Sequence, residues 1–221
     1  MKRFPSVAYI APFAVFVALL SLNRVLPLPD LVIQILQIAI PSIVILVFSR
    51  NVVDFRLRNI WASIAIGIAV FAVWIAPDLM FPGYRHSWLF QNALLGTMQK
   101  PLSESARAST TILALRTVRA ALLVPIVEEL FWRAWLMRWL ISPNFEKVPM
   151  GAYQAASFWL CAVLFASEHG AYWDVGLAAG VIYNWWMVRT RSLGDLILAH
   201  AVTNACLSAY VIAAGKWEYW L

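Results

Sequence analysis

Charged residues are scarce in this sequence. Only 13% of its 221 residues are Asp, Glu, Lys or Arg, and 62% are hydrophobic, whereas an ordinary soluble domain is about 25% charged. This composition excludes a disordered chain and disfavours a water-soluble globule. The net charge is +6, but the basic residues are scattered between apolar stretches. That distribution is typical of membrane proteins, where basic residues set topology, so we expect a lipid bilayer and no nucleic acid as partner.

Cysteine is also scarce, and the common catalytic motifs are missing. Cys161 and Cys206 both lie in apolar runs and fit neither a disulfide framework nor a metal-ligand spacing. The sequence has no G-x-S-x-G, no H-E-x-x-H and no P-loop. Their absence disfavours the usual serine-hydrolase, zinc-peptidase and nucleotide-binding functions.

Long apolar runs are abundant instead. A span needs ~20 mostly apolar residues, and a lipid-exposed span must be helical to satisfy its backbone. The candidate spans are Val7–Leu22, Leu31–Ser49, Ile60–Ala76, Thr111–Val127, Tyr153–Ala166, Val175–Val188 and Leu196–Ala214. The segment Phe131–Ile141 either continues the fourth span or forms a separate helix bent off at Pro125. The sequence predicts an all-α, polytopic membrane bundle of seven or eight transmembrane helices, with residues 1–221 forming one integral membrane domain.

Basic residues cluster in the connections that alternation places on one side. These clusters are Lys2 and Arg3, then Arg50, Arg56 and Arg58, then Arg189 and Arg191. The positive-inside rule makes that side cytoplasmic. We therefore expect a multi-pass protein of the cell (inner) membrane with a cytoplasmic N-terminus, and an outward-facing loop at Phe81–Ser109.

Two adjacent glutamates lie in an apolar segment, where ionisable residues are costly and usually functional or paired. Glu129 and Arg133 are four residues apart on a helix and share a face, which suits an ion pair. Glu128 lies about 100° around the helix axis and shares that arginine less easily. This spacing predicts that Glu129 and Arg133 support the structure and leave Glu128 available for chemistry. The alternative is that both glutamates only neutralise nearby arginines.

Two of the three histidines lie in or beside other apolar spans. His169 follows Phe165 by four residues, and His200 precedes Asn204 by four residues, so each pair projects from one helix face. A glutamate can take a proton from water and later return it. Histidine can orient that water or donate to an oxyanion, and an Asn amide can donate. Together these groups meet the needs of amide hydrolysis.

The combined pattern resembles the CPBP family of intramembrane proteases, which includes the CAAX-processing endopeptidases of the Ras-converting type and the bacterial Abi proteins. The matching motifs are Glu128-Glu129-x-x-x-Arg133, Phe165-x-x-x-His169 and His200-x-x-x-Asn204, in order and on separate hydrophobic segments. The resemblance covers about Leu113–Leu207, within a catalytic core at about 111–214. The run Trp-Arg-Ala-Trp-Leu-Met-Arg at 132–138 is similar to the branch found beside bacterial exosortase systems.

The resemblance implies an intramembrane glutamate-dependent endopeptidase without a cofactor. Its substrate is expected to be a membrane-associated protein or peptide. Glu128 would be the general base on water, with His169 assisting it. His200 and Asn204 would form the oxyanion site, and the Glu129 ion pair would support these groups.

Three alternatives stay open at the level of sequence. Glu128, His169 and His200 also form a plausible set of zinc ligands. Buried Glu and His residues suit a proton-coupled carrier as well, although the sequence shows no internal repeat of the kind that carriers tend to have. A non-catalytic scaffold or immunity protein on the same fold is the third alternative, because a fold does not dictate function.

The predicted spans also place the two histidines at different depths. Counted from the same side of the bilayer at ~1.5 Å per residue, His169 lies ~24 Å along the fifth span and His200 ~6 Å along the seventh. A shared site needs comparable depths, so the helices must depart from the simplest arrangement if both histidines act together.

Overall fold

A computed structural model describes residues 4–22, 28–92 and 102–220. Within these ranges the chain forms eight α-helices and no strand, so the predicted all-α architecture is confirmed. The helices are α1 (Val7–Leu22), α2 (Asp30–Ser49), α3 (Ile60–Met80), α4 (Glu104–Ala108), α5 (Thr110–Trp139), α6 (Ala155–Ser167), α7 (Trp173–Thr190) and α8 (Leu193–Ala214). Four of them, α2, α3, α5 and α8, are long and apolar enough to cross a membrane, whereas α1 and α6 are shorter apolar helices. Lys2, Arg3 and residues 93–101 of the predicted outward loop lie outside the described residues.

Helix α5 unites the predicted fourth span with Phe131–Ile141, which continues the helix instead of bending off. Two π-helical segments, Arg119–Leu123 and Leu130–Leu136, flank the α-helical stretch Val124–Glu129. Pro125 has no backbone N–H to donate. The wider π turn before Pro125 lets the helix continue through this position without a break. π segments inside α-helices often occur at functional sites, and here they bracket the paired glutamates.

Helices α3 and α8 approach each other closely. A Cβ placed on Gly67 would lie 2.4 Å from the carbonyl oxygen of Ala199, so only glycine fits there. The Thr203 hydroxyl donates to the Gly67 carbonyl at 2.8 Å and accepts from the Tyr183 hydroxyl of α7 at 2.8 Å. These contacts hold α8 between α3 and α7, with His200 and Asn204 on either side of Thr203.

Helices α6 and α7 form a closely packed hairpin in which α6 is the shorter helix. Helix α6 has 13 residues, about 20 Å at ~1.5 Å per residue, and the chain turns back through Gly170–Tyr172. A Cβ on Gly180 would lie 3.2 Å from Ala162 of α6, and one on Gly176 would lie 3.1 Å from the His169 ring. The two glycines therefore let α7 pack closely against α6 and against the hairpin tip.

One end of the bundle joins the α2–α3 connection to the start of α8. Asp195 is fully buried and accepts hydrogen bonds from the Arg58 N–H at 2.8 Å, the Asn59 N–H at 3.1 Å and the Asn59 side chain at 2.8 Å. Ser192 donates to the Arg56 carbonyl at 3.3 Å. Two of the predicted basic clusters therefore lie at the same end. It is called the arginine end below, and its arginines are Arg50, Arg56, Arg58, Arg189 and Arg191.

The opposite end, called the distal end below, is where α1, α3 and α8 finish and α5 begins. The Tyr219 hydroxyl donates to Asp78 at 2.9 Å, which ties the chain after α8 to the end of α3. Arg85 is buried between Asp78 at 3.0 Å and Asp174 at 2.7 Å, and it also donates to the Ala171 carbonyl at 2.6 Å. Segments after α3 and α8 thus cover the tip of the α6–α7 hairpin.

The Asp195 contacts generate a prediction about stability. Asp195→Ala leaves two backbone N–H groups and an amide without their acceptor, and hydrogen bonds to a charged group are worth about 1.5–3 kcal/mol. We expect a clear drop in the unfolding temperature of the variant. Tryptophan fluorescence of the protein in detergent measures that temperature. Asp54→Ala is the matched control, since the Asp54 carboxylate is partly exposed and bonds only to Arg56 in the described chain. An equal decrease of the unfolding temperature in Asp195→Ala and Asp54→Ala would contradict the assigned role of Asp195.

Candidate active site

A cavity of about 510 Å³ lies between α1, α5, α8 and the tip of the α6–α7 hairpin. Apolar side chains of α1 form one wall. Four residues predicted as catalytic line this same cavity: Glu128, His169, His200 and Asn204. The structure therefore brings together side chains from α5, the hairpin tip and α8.

The buried ion pair predicted between Glu129 and Arg133 is present at the base of the site. Both carboxylate oxygens of Glu129 lie 3.1 Å from Arg133 Nη1, and neither side chain is exposed. Arg133 Nε donates to the Asn184 amide oxygen at 2.8 Å, and Nη2 donates to the Gly180 carbonyl at 3.4 Å. The guanidinium group is thus surrounded by acceptors, which a buried charge requires.

His200 connects this ion pair to the cavity. Its Nδ1 lies 2.7 Å from Glu129 Oε1, and its Nε2 lies 3.9 Å from Glu128 Oε2. A carboxylate only accepts hydrogen bonds, so Nδ1 carries the proton and Nε2 is the nitrogen that faces Glu128. The ring also stacks on Tyr183, with centroids 4.9 Å apart. Glu129 therefore supports Arg133 and orients His200 at the same time.

Glu128 has a very different environment from its neighbour. Its side chain is 13% exposed, and among the described protein groups its buried Oε2 atom has no hydrogen-bond partner. A buried polar atom without a protein partner is uncommon and calls for a functional explanation. Glu128 Oε2 lies 3.9 Å from His200 Nε2, so the two groups face each other without a direct hydrogen bond.

His169 is held in one tautomer by its own helix. Its Nδ1 lies 2.8 Å from the Phe165 carbonyl oxygen, which can only accept, so Nδ1 donates and Nε2 keeps its lone pair. The ring packs edge-on against Trp74 at 5.2 Å and lies against Gly176, where a side chain would not fit comfortably. His169 can therefore accept a proton or a hydrogen bond from water.

His169 lies at the tip of the α6–α7 hairpin, next to a side chain that also contacts His200. Helix α6 ends at Ser167 and the chain turns back at once, which places His169 at the tip of the hairpin. The Phe165 ring lies 4.7 Å from His169 and 6.4 Å from His200, measured between centroids. Both histidines consequently contact the same side chain and line the same cavity.

Asn204 makes a contact that its motif does not reveal. Its Nδ2 donates to the Ala120 carbonyl at 2.8 Å. That carbonyl lacks its usual helical donor, because the Val124 N–H bonds to the Arg119 carbonyl and Pro125 has no N–H. One amide hydrogen of Asn204 is therefore used to link α8 to α5, and the second stays available at the cavity wall.

Several polar residues at the site carry no motif signal. Glu168 lines the cavity directly beside His169, and Arg119 is buried in its wall and donates to Gln37. Asn184 holds Arg133 from the neighbouring helix, and its amide also donates to the Phe158 carbonyl at 2.7 Å. The signal in the sequence is their position inside apolar spans. A polar group there costs free energy unless it is hydrogen-bonded or has a functional role.

The alternative set of zinc ligands consists of Glu128, His169 and His200. In the part of the chain that the structure describes, no three His, Cys, Asp or Glu side chains are arranged to hold a metal ion. The arrangement of Glu128, His169 and His200 therefore lends no support to the zinc alternative.

One segment of the chain is similar to a known protein family. Residues 110–206 match the model described as Rce1-like, type II CAAX prenyl endopeptidase. The match runs from the start of α5 into α8, and it confirms the family resemblance predicted from the sequence. It supports a membrane protease of the CAAX class. No curated protein and no solved structure matches the chain.

The different environments of the two glutamates predict different consequences for stability. Glu129→Gln leaves the fully buried Arg133 without a countercharge, and breaking a buried pair in this way costs about 3–5 kcal/mol. Glu128→Gln is the matched control, because it replaces an oxygen that has no protein partner and should leave stability nearly unchanged. Thermal unfolding of both variants in detergent measures the difference. A large loss in Glu128→Gln with none in Glu129→Gln would show that the two roles are reversed.

Proposed function

We propose that this chain is an intramembrane glutamate-dependent endopeptidase. It hydrolyses a peptide bond of a membrane-associated protein or peptide with water activated by Glu128. The observation that carries the proposal is the Glu128 side chain, which lines a cavity shared with His169, His200 and Asn204 and has one carboxylate oxygen without a partner among the described protein groups. The family match supports the protease class. The apolar helices support a multi-pass location in the membrane, which we place in the cell membrane.

The first chemical step forms the nucleophile. The Glu128 carboxylate accepts a proton from a water molecule, and the water oxygen attacks the carbonyl carbon of the scissile bond. The π electron pair of the carbonyl moves onto its oxygen and produces a tetrahedral oxyanion. The second O–H of the water donates a hydrogen bond to His169 Nε2. This bond orients the lone pair of the water oxygen toward the substrate.

The second requirement is a set of donors for the oxyanion. The remaining amide hydrogen of Asn204 supplies one. His200 supplies another when its Nε2 carries a proton, with its Nδ1 held by Glu129. Such donors stabilise the transition state most because charge develops on the oxygen at that moment. When the C–N bond breaks, Glu128 returns its proton to the departing amine.

Glu129 is unsuited to act as the base in this mechanism. Both of its oxygens accept from Arg133, and one also accepts from His200, so each oxygen is already engaged. Taking up a proton there would remove the countercharge of a fully buried arginine. The structure of the site thus favours Glu128 as the base.

Glu128→Gln tests this proposal directly. The amide keeps the shape of the side chain but cannot accept a proton from water, so single-turnover cleavage of a membrane peptide in detergent should fall ~10²-fold or more. Glu146→Gln, the same change at an exposed residue outside the cavity, is the control and should cleave at the original rate. Each rate is measured with and without a zinc chelator. Full cleavage by Glu128→Gln, or loss of cleavage on chelation, would overturn the proposed mechanism.

Asn204→Ala tests the oxyanion site. Removing one donor of this kind typically lowers turnover by ~10²–10³-fold, whereas peptide affinity should change little because the ground-state carbonyl gains less from the donor. Cleavage and binding are measured on the same sample, together with unfolding temperature, because the variant also leaves the Ala120 carbonyl without its donor. A folded Asn204→Ala protein that cleaves at the original rate would remove Asn204 from the mechanism.

A further inference from the structure

The cavity is strongly asymmetric along the bundle axis. Its innermost residues include Tyr183 and His200, each seven residues from the nearer helix terminus at the arginine end, Thr190 and Leu193 respectively. At ~1.5 Å per residue, this inner wall lies about 10 Å from that end. Among the described residues, no side chain of the α2–α3 connection or of the α7–α8 junction lines the cavity. In the part of the chain that the structure describes, the cavity therefore does not extend to the arginine end.

The opposite side of the cavity reaches the distal end. Its lining includes Ser21 in the last turn of α1, Arg116 near the start of α5, and Trp220 after α8. Arg116 donates to the Trp220 carbonyl at 3.2 Å, which places these two residues side by side. Ser21 is exposed. These three residues define the mouth of the cavity.

The charge distribution orients the two ends in the membrane. The arginine end carries five arginines in or directly beside two short connections, against Arg85, Arg107 and Lys216 in the described connections of the distal end. An excess of Lys and Arg in short connections marks the cytoplasmic side. The junction that brings these connections together is held by the buried Asp195, so both belong to one face of the protein. The mouth of the cavity then lies on the other face.

We infer that the cavity opens to the extracytoplasmic side, and that the substrate is a membrane-associated protein whose scissile bond enters from that side. This inference rests on the proposed function for the hydrolysis of a peptide bond. It rests on the arrangement of the helices for the side on which the cavity opens. A protein anchored by a lipid in the cytoplasmic leaflet does not reach such a mouth.

The cavity also limits the form of the substrate. Arg116 at the mouth and Glu128 at the inner wall are 12 residues apart on α5, about 18 Å at ~1.5 Å per residue. An extended chain covers that distance in about five or six residues at ~3.3 Å each. The volume of about 510 Å³ suits a short extended segment and not a folded domain. The scissile bond is thus expected some five or six residues from the point of entry, in an unfolded segment.

Cysteine labelling tests the direction of the cavity without requiring a substrate. The background carries Cys206→Ser and keeps Cys161, which is fully buried. Single cysteines replace Ser21 at the mouth, Lys216 at the exposed distal end, and Asn51 at the exposed arginine end. A membrane-impermeant maleimide is added to spheroplasts and, separately, to sealed inside-out vesicles.

The inference predicts opposite patterns in the two preparations. In spheroplasts, Ser21→Cys and Lys216→Cys should be labelled and Asn51→Cys should not, and the labelling should reverse in inside-out vesicles. Labelling of Ser21→Cys only in inside-out vesicles overturns the inference. Labelling of Lys216→Cys in spheroplasts with Ser21→Cys unlabelled in both preparations also overturns it, because the mouth is then closed.

The same labelling in a Glu128→Gln background separates this inference from the proposed function. That variant lacks the base, yet its labelling pattern should equal that of the parent. A wrong pattern refutes the extracytoplasmic opening and leaves the proposed chemistry standing. The expected pattern in a protein that cleaves no membrane peptide refutes the chemistry and leaves the direction of the cavity intact.

Discussion

The arrangement of the site depends on one buried carboxylate. Glu129 accepts from Arg133 through both oxygens and from His200 through one, and none of its surface is exposed. Arg133 in turn reaches Asn184 on α7, so this single cluster joins α5, α7 and α8. Removing such a charge leaves its partners buried and unpaired. The position of His200 in the cavity is therefore coupled to the stability of the whole bundle.

Glu128 can serve a chemical role because its neighbour serves the structural one. The two carboxylates follow each other in α5, but helical geometry turns one toward the packed interior and the other toward the cavity. The π segment before Pro125 adds a further link, since it frees the Ala120 carbonyl that Asn204 bonds. The irregular backbone of α5 thus fixes the position of the proposed oxyanion donor relative to the proposed base.

Local features of this protein were predictable from sequence, and long-range ones were not. The bounds of α1 and the ion pair four residues apart on α5 follow from hydropathy and helical spacing. The contact between His200 and Glu129 joins residues 71 positions apart and has no local signal. The shared cavity of the histidines was also inaccessible, because it depends on how the tip of the α6–α7 hairpin packs beside α5 and α8. Spacing rules describe one helix at a time, whereas the site depends on where helices end and how closely glycines let them pack.

The most direct test of the central claim is an experimental structure of the Glu128→Gln variant with an uncleaved peptide bound. The account predicts that the scissile carbonyl carbon lies beside residue 128 in the cavity. Its oxygen should lie within hydrogen-bonding distance of Asn204 Nδ2 or His200 Nε2, and the peptide should enter from the distal end. A peptide bound outside this cavity, or one whose carbonyl oxygen points away from both donors, would contradict the account.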